Sequence, residues 1–221
     1  MLRPQAIASL HASALWLLLI LCGVAQAAPQ SITTLPLQAD GDNHWRLPAG
    51  EYAGQFRVEQ PMRIRCEPGA VIRAQGQGNA LTIEAPEVTV EGCTLRDWGR
   101  NLTDLNAAVF IGPKARGALI KDNHLQGPGS GIWVDGTADV SLIGNHIQGD
   151  PSIRSQDRGN GIHLYAVHGA RVIGNQVRET RDGIYIDTSN GNLLEGNTLE
   201  ELRYGVHYMY SNDNRVIANT T

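Results

Sequence analysis

The stretches LIGNHI (142–147), VIGNQV (172–177) and LEGNTL (194–199) decide the architecture of this chain. Each places an asparagine three residues after an apolar position. The same pattern reads IKDNHL (120–125) earlier and VIANTT (216–221) at the end. The asparagines are Asn123, Asn145, Asn175, Asn197 and Asn219, spaced 22, 30, 22 and 22 residues apart. The single interval of 30 contains the extra loop GDPSIRSQDRGN (149–160), so it is one period plus an insertion. A second motif runs in the same register: GIWVD, GIHLY, GIYID and GVHYM, opening at Gly131, Gly161, Gly183 and Gly205. Fixed periodicity of this length is the mark of a stacked repeat.

Within each period the apolar residues alternate with others in runs of three to five, separated by Gly, Asn and Asp. Alternation of that kind is the strand signature, and such short runs leave no room for helices. The spacing predicts an all-β fold, a single-stranded right-handed parallel β-helix with rungs of about 22 residues, each stacked about 4.8 Å from the next. Leucine-rich repeats share the period, but their fixed leucine spacing is absent. Recurrent asparagine at one turn is then a structural ladder of side-chain amides. Further back, TVEGCTL (89–95) puts Cys93 at the ladder position, AVFIG (108–112) matches the GIWVD strand, and MRIRC (62–66) and GAVIRA (69–74) read as strands. The predicted domains are a leader over 1–27, an N-terminal strand and cap region over 28–60, and the β-helix over 61–221, which stops inside a repeat and so reads as truncated at its C-terminus.

Residues 1–27 read as a secretory signal peptide: Arg3 in the n-region, the apolar run ALWLLLILCGV (14–24), and Ala25-Gln26-Ala27 as a small-x-small cleavage site. The apolar run is too short to span a bilayer comfortably, so no membrane span is expected after cleavage. Without Arg3 the exported chain has 17 basic and 22 acidic residues, net −5. That balance argues against nucleic acid as a partner. Export places Cys66 and Cys93 in an oxidising compartment, where a disulfide is the default, with core packing or a thiolate site as alternatives.

Strand alternation sorts the side chains of the GIWVD motif. Ile132 and Val134, with their equivalents in later rungs, face inward. One outward column reads Phe110, Trp133, His163, Tyr185, His207, and the next reads Asp135, Tyr165, Asp187, Met209. An exposed aromatic column marks either a binding surface or a face covered by a loop such as 150–160. His207 and Met209 project the same way from one strand, about 6–7 Å apart by strand rise. Imidazole with thioether is a soft pair suited to Cu(I). His163 lies two rungs away, near 10 Å by rung spacing. His124 and His146 occupy equivalent positions on adjacent rungs, as a metal bridge or merely as relics of repeat descent. The candidate metal ligands are therefore His207, Met209, His163, His124 and His146, with transient Cu(I) as cargo and no catalytic residue assigned. A carbohydrate reading is the alternative: Asp135, Asp187, Arg181 and Arg203 would line a uronate lyase or epimerase groove, with Trp133 and Tyr185 stacking on sugar. A third reading is a docking scaffold without metal. No phosphate-binding GxxxxGK[ST] or nucleophile elbow G-x-S-x-G is present.

The rungs are of the kind shared by carbohydrate-binding and sugar-hydrolase β-helices. GNGIHLY (159–165), RDGIYIDTSNGN (181–192) and above all RYGVHYMYSNDNRVIANTT (203–221) resemble the NosD family, periplasmic proteins that mature nitrous oxide reductase. The resemblance implies a periplasmic, non-enzymatic role in supplying copper, or sulfur, to the copper centres of that reductase. It also implies partners: an ABC transporter permease and its ATPase, a copper chaperone lipoprotein, and the reductase itself.

Overall fold

The computed structural model describes residues 28–221, and the expected signal peptide lies outside them. Among the described residues there are 24 short strands and two single-turn 3-10 helices. The strands form three sheets of eight, seven and nine members. All neighbouring strands pair in parallel except Gln38–Ala39 with His44–Leu47, which are antiparallel. Each rung of this parallel β-helix contributes one strand to each sheet. In one turn Ser141–Ile143 lies in the nine-stranded sheet, His146–Gln148 in the seven-stranded sheet and Ile162–Tyr165 in the eight-stranded sheet.

Side-chain size and alternation explain the interior. Ile132, Val134, Leu142, Ile147, Ile162, Leu164, Val172, Ile184 and Ile186 are buried in one continuous apolar core that runs the length of the coil. The inward positions carry most of the apolar burial, at about 1.5–3 kcal/mol for each large aliphatic chain.

The corner between the nine- and seven-stranded sheets is the most regular part of the molecule. The residue before each ladder position has a left-handed backbone: Gly92, Gly144, Gly174 and Gly196 at φ 71, 64, 63 and 63, with Asp122 and Ala218 adopting the same region at φ 52 and 51. Glycine enters that conformation without strain, which is why the motif reads Gly-Asn so often. The asparagine side chain then turns into the core. Asn145 Nδ2 donates to Ile120 O (2.9 Å) and to Asn175 Oδ1 (3.0 Å), while its Oδ1 accepts from the backbone N–H (3.1 Å) and Nδ2 (3.0 Å) of Asn123. Asn175 and Asn197 repeat the arrangement. The amide's two donors and two acceptor sites are all used. Cys93 stands at the ladder position as the spacing predicts, its N–H donating to Asn123 Oδ1 at 2.9 Å.

The opposite corner, between the eight- and nine-stranded sheets, holds a second amide ladder, Asn192 to Asn214, and a hydroxyl ladder, Ser189 to Ser211. Neither was expected from the sequence. Their members recur over only two rungs, too few to stand out as a repeat. His168 bridges Ala138 and Asn190 of the neighbouring rungs at the same corner.

At the N-terminal end, Gln30–Ser31 adds to the eight-stranded sheet, and Ile32 and Leu35 are buried over the first rung. Strands His44–Leu47, Gly50–Ala53 and Phe56–Val58 already belong to the three sheets. The coil therefore starts inside the stretch expected to be its cap, because this first rung lacks the Gly-Asn corner that makes later rungs visible. Cys66 and Cys93, in neighbouring rungs, form a disulfide.

Asn145→Ala removes both donors and the acceptor at once, leaving the buried Asn123 N–H and one Asn123 Nδ2 hydrogen without their acceptor. At about 1–3 kcal/mol for each orphaned group, the variant loses about 3 kcal/mol or more, read as a lowered urea midpoint. Replacing Cys66 and Cys93 by Ser, which opens a link across 27 residues, lowers stability by roughly 3–4 kcal/mol on the chain-entropy account.

Candidate functional site

The outward face of the eight-stranded sheet carries the columns read from the sequence. Phe110 pairs with Trp133, Trp133 with His163, His163 with Tyr185 and Tyr185 with His207, in parallel register. The second column pairs Asp135 with Tyr165, Tyr165 with Asp187 and Asp187 with Met209. The rings pack on one another at centroid distances of 3.8, 4.6 and 4.4 Å from Trp133 to His207. Rung spacing dictates these distances, and tilted or edge-on geometry suits the ring quadrupoles.

The two histidines of this column differ in character. His163 is buried, and its Nδ1 lies 3.1 Å from Asn160 Nδ2. With the amide as donor, the ring proton sits on Nε2, which is buried without a partner. Burial pushes the His163 pKa down to about 4; the Asp182 charge opposes this and His207 adds to it. His163 is thus a neutral, packed ring at neutral pH. Tyr185 stands between it and His207, so the two imidazoles do not converge.

His207 is the next ring of the column after Tyr185. Its side chain is 26 % exposed, and its Nδ1 lies 2.8 Å from Asp182 Oδ2. The Asp182 carboxylate is fully buried and also receives Arg203, with Nε to Oδ1 at 2.8 Å and Nη2 to Oδ2 at 2.6 Å. Burial alone would raise the Asp182 pKa, but the hydrogen bonds from Arg203 and His207 outweigh it and hold the carboxyl below its usual value. Tyr204 packs against the other side of His207, with rings 5.1 Å apart, and Arg203 lies over Tyr204. Asp182 therefore fixes the imidazole and leaves Nε2 as its free nitrogen. A carboxylate holding the far nitrogen of a histidine is the usual outer support of a metal ligand. Met209 follows on the same strand, beside Asp187 of the preceding rung.

Asp182 was the functional residue the sequence did not single out as a partner of His207. The signal lies in the position before each motif glycine, which reads Ser130, Asn160, Asp182, Tyr204. Two of these polar residues, Asn160 and Asp182, each hold a histidine of the column. Arg181 and Arg203, grouped in the sequence, part company: Arg203 clamps Asp182, whereas the Arg181 Nε is buried without a partner.

His124 and His146 lie on a different sheet. They pair directly across Cα partners in the seven-stranded sheet, with rings stacked at 4.8 Å. The five candidate ligands accordingly fall into three places: His207 with Met209, His163 alone, and His124 with His146. Among the described residues no three His, Cys, Asp or Glu side chains come together closely enough to hold one ion. No helix among them is long and apolar enough to cross a membrane.

A family profile described as "Periplasmic copper-binding protein (NosD)" matches residues 143–221, the part that carries His163, Asp182, Arg203, His207 and Met209. A protein of Stutzerimonas stutzeri, "Probable ABC transporter binding protein NosD", is 64 % identical over 182 residues, 82 % of this chain and 42 % of its own length. A protein of the same description from Pseudomonas aeruginosa strain PAO1 is 54 % identical over 75 % of this chain and 39 % of itself. Another from Pseudomonas aeruginosa is 57 % identical over 94 residues, 86 % of its length. The chain spans about two-fifths of the two longer relatives. Among solved structures, a "Glycoside hydrolase" superposes with TM-score 0.59 over 79 % of this chain and 37 % of its own, at 15 % identity, a likeness of fold alone.

The depressed pKa of His163 has a stability consequence. A histidine kept neutral in the fold binds a proton more readily when unfolded, so stability is full above about pH 6.5 and falls as pH drops toward about 4. His163→Phe, which keeps the ring and removes the titration, flattens this part of the acid unfolding profile measured by thermal melts.

Proposed function

Since this chain belongs to the NosD family, we propose that it is a periplasmic accessory protein that handles copper for the maturation of nitrous oxide reductase. It works with an ABC transporter permease and its ATPase, and receives Cu(I) from a copper chaperone lipoprotein. The observation that carries this reading is the Asp182–His207 contact at 2.8 Å next to Met209. The donor set fits the cargo. An imidazole whose Nδ1 is held by a buried carboxylate offers Nε2, and a thioether on the same strand offers a soft sulfur. Two such donors grip Cu(I) weakly enough to release it, as delivery requires. A closed cage of three or four ligands would retain it.

The rest of the site serves position. Arg203 neutralises Asp182 and keeps the carboxylate from competing for the ion. Tyr185 and Tyr204 flank the His207 ring and limit its rotation. The family's printed description names copper, and the relatives' printed names refer to an ABC transporter. Both support this assignment. Nothing here calls on the chain as a catalyst: Asp135 and Asp187 stand two rungs apart with Tyr165 between them.

Anaerobic Cu(I) titration of the exported chain against a competing chelator tests the proposal. His207→Ala with Met209→Ala abolishes this binding, and Asp182→Asn weakens it by roughly 10–100-fold, the range for an outer support. Wild-type Cu(I) affinity in the His207/Met209 variant rejects the site.

A further inference from the structure

The seven-stranded sheet carries a second, chemically distinct feature. Its outer face forms an open groove of about 500 Å³ whose lining includes His124, His146, Gln126, Gln148, Arg96 and Arg178. His124 and His146 face each other from adjacent rungs, exposed, with rings 4.8 Å apart and 28° from parallel. Their side chains make no hydrogen bond or ion pair with the described residues. The same column continues as Thr94 before them and Gln176 and Thr198 after them. The rung therefore accepts Thr or Gln here, and the backbone does not demand imidazole at two consecutive positions.

We propose that His124 and His146 form a metal site for a borderline divalent cation, Cu(II) or Zn(II). Metal–nitrogen bonds to imidazole are about 2.0–2.1 Å, so two ring nitrogens sharing one ion lie about 3–4 Å apart. Two exposed rings on strands about 4.8 Å apart reach that separation by side-chain rotation, without movement of the backbone. The surroundings select the ion. Imidazole with amide oxygens suits late first-row divalent metals, whereas calcium and magnesium seek carboxylates. Glu200, in the Thr198–Glu200 strand, is the acidic residue lining this groove, so calcium and magnesium find a single carboxylate here. The thioether that favours Cu(I) at Met209 has no counterpart here. The site is independent of the copper reading of His207 and Met209, since it lies on another sheet and uses none of the same residues.

Untagged exported chain, titrated in air with Cu(II) and followed by electron paramagnetic resonance, and titrated separately with Zn(II) by calorimetry, tests this site. His124→Gln and His146→Gln copy Gln176, which stands in the same column, so both fold as the wild type, verified by circular dichroism. The expected result is a Cu(II) signal with two imidazole nitrogens, weakened by roughly tenfold or more in each variant and unchanged in His207→Ala/Met209→Ala. Zn(II) binding that follows the same variants assigns the site to both cations. Loss of Cu(II) alone assigns it to copper. Divalent binding equal to wild type in both glutamine variants overturns the proposal, whatever the Cu(I) titration shows at His207.

Discussion

A buried primary amide brings two donors and two acceptor sites out of water, and each must be met or its desolvation is uncompensated. The Asn145 side chain meets all four needs through the rungs on either side of it. That requirement sets the fold. An amide that bonds to the rung before and the rung after tolerates neither a shift in register nor a change in spacing. Apolar burial supplies most of the stabilisation, but it is indifferent to register. The ladder makes one register the favourable one, and Cys93 shows its limit: without an amide the column stops, and the rung before is joined instead by the Cys66–Cys93 disulfide.

Exact stacking has a consequence for the outside of the coil. If every rung repeats in register, each outward position becomes a column at strand spacing, and whatever residues stand there must interact. Trp133, His163, Tyr185 and His207 do so through ring packing, and His124 with His146 through a stacked pair. The surface is a set of parallel tracks on which a functional group is placed by choosing its rung. His207 is distinguished from His163 by its neighbours along the coil. Asn160 and two flanking rings bury His163, while Asp182 and Arg203 fix His207 with one nitrogen free.

Much of this was legible in the residues. The 22-residue interval between asparagines revealed the rungs, alternation sorted inward from outward side chains, and the composition of each column followed by reading down the register. The Asp182–His207 contact was not legible, because it joins residues 25 apart diagonally across two paired strands, at the first residue of the Asp182–Asp187 strand, where strict alternation fails. The burial of His163 was equally hidden: Asn160 ends the inserted loop, and the path of an insertion does not follow from the repeat. The first rung escaped notice because His44–Leu47, Gly50–Ala53 and Phe56–Val58 carry none of the corner residues that mark the later ones.

The sequence by itself determined the period, the inward and outward faces of the GIWVD-type strands and the residues of their columns, since these depend on local alternation and on Gly-Asn corners whose conformational and hydrogen-bonding needs are intrinsic. Only the tertiary structure decided which columns share a face, which histidine is buried and neutral, and which is held by a carboxylate with a nitrogen to spare. Those properties arise between rungs, from side chains that meet across neighbouring strands, and no single repeat contains them.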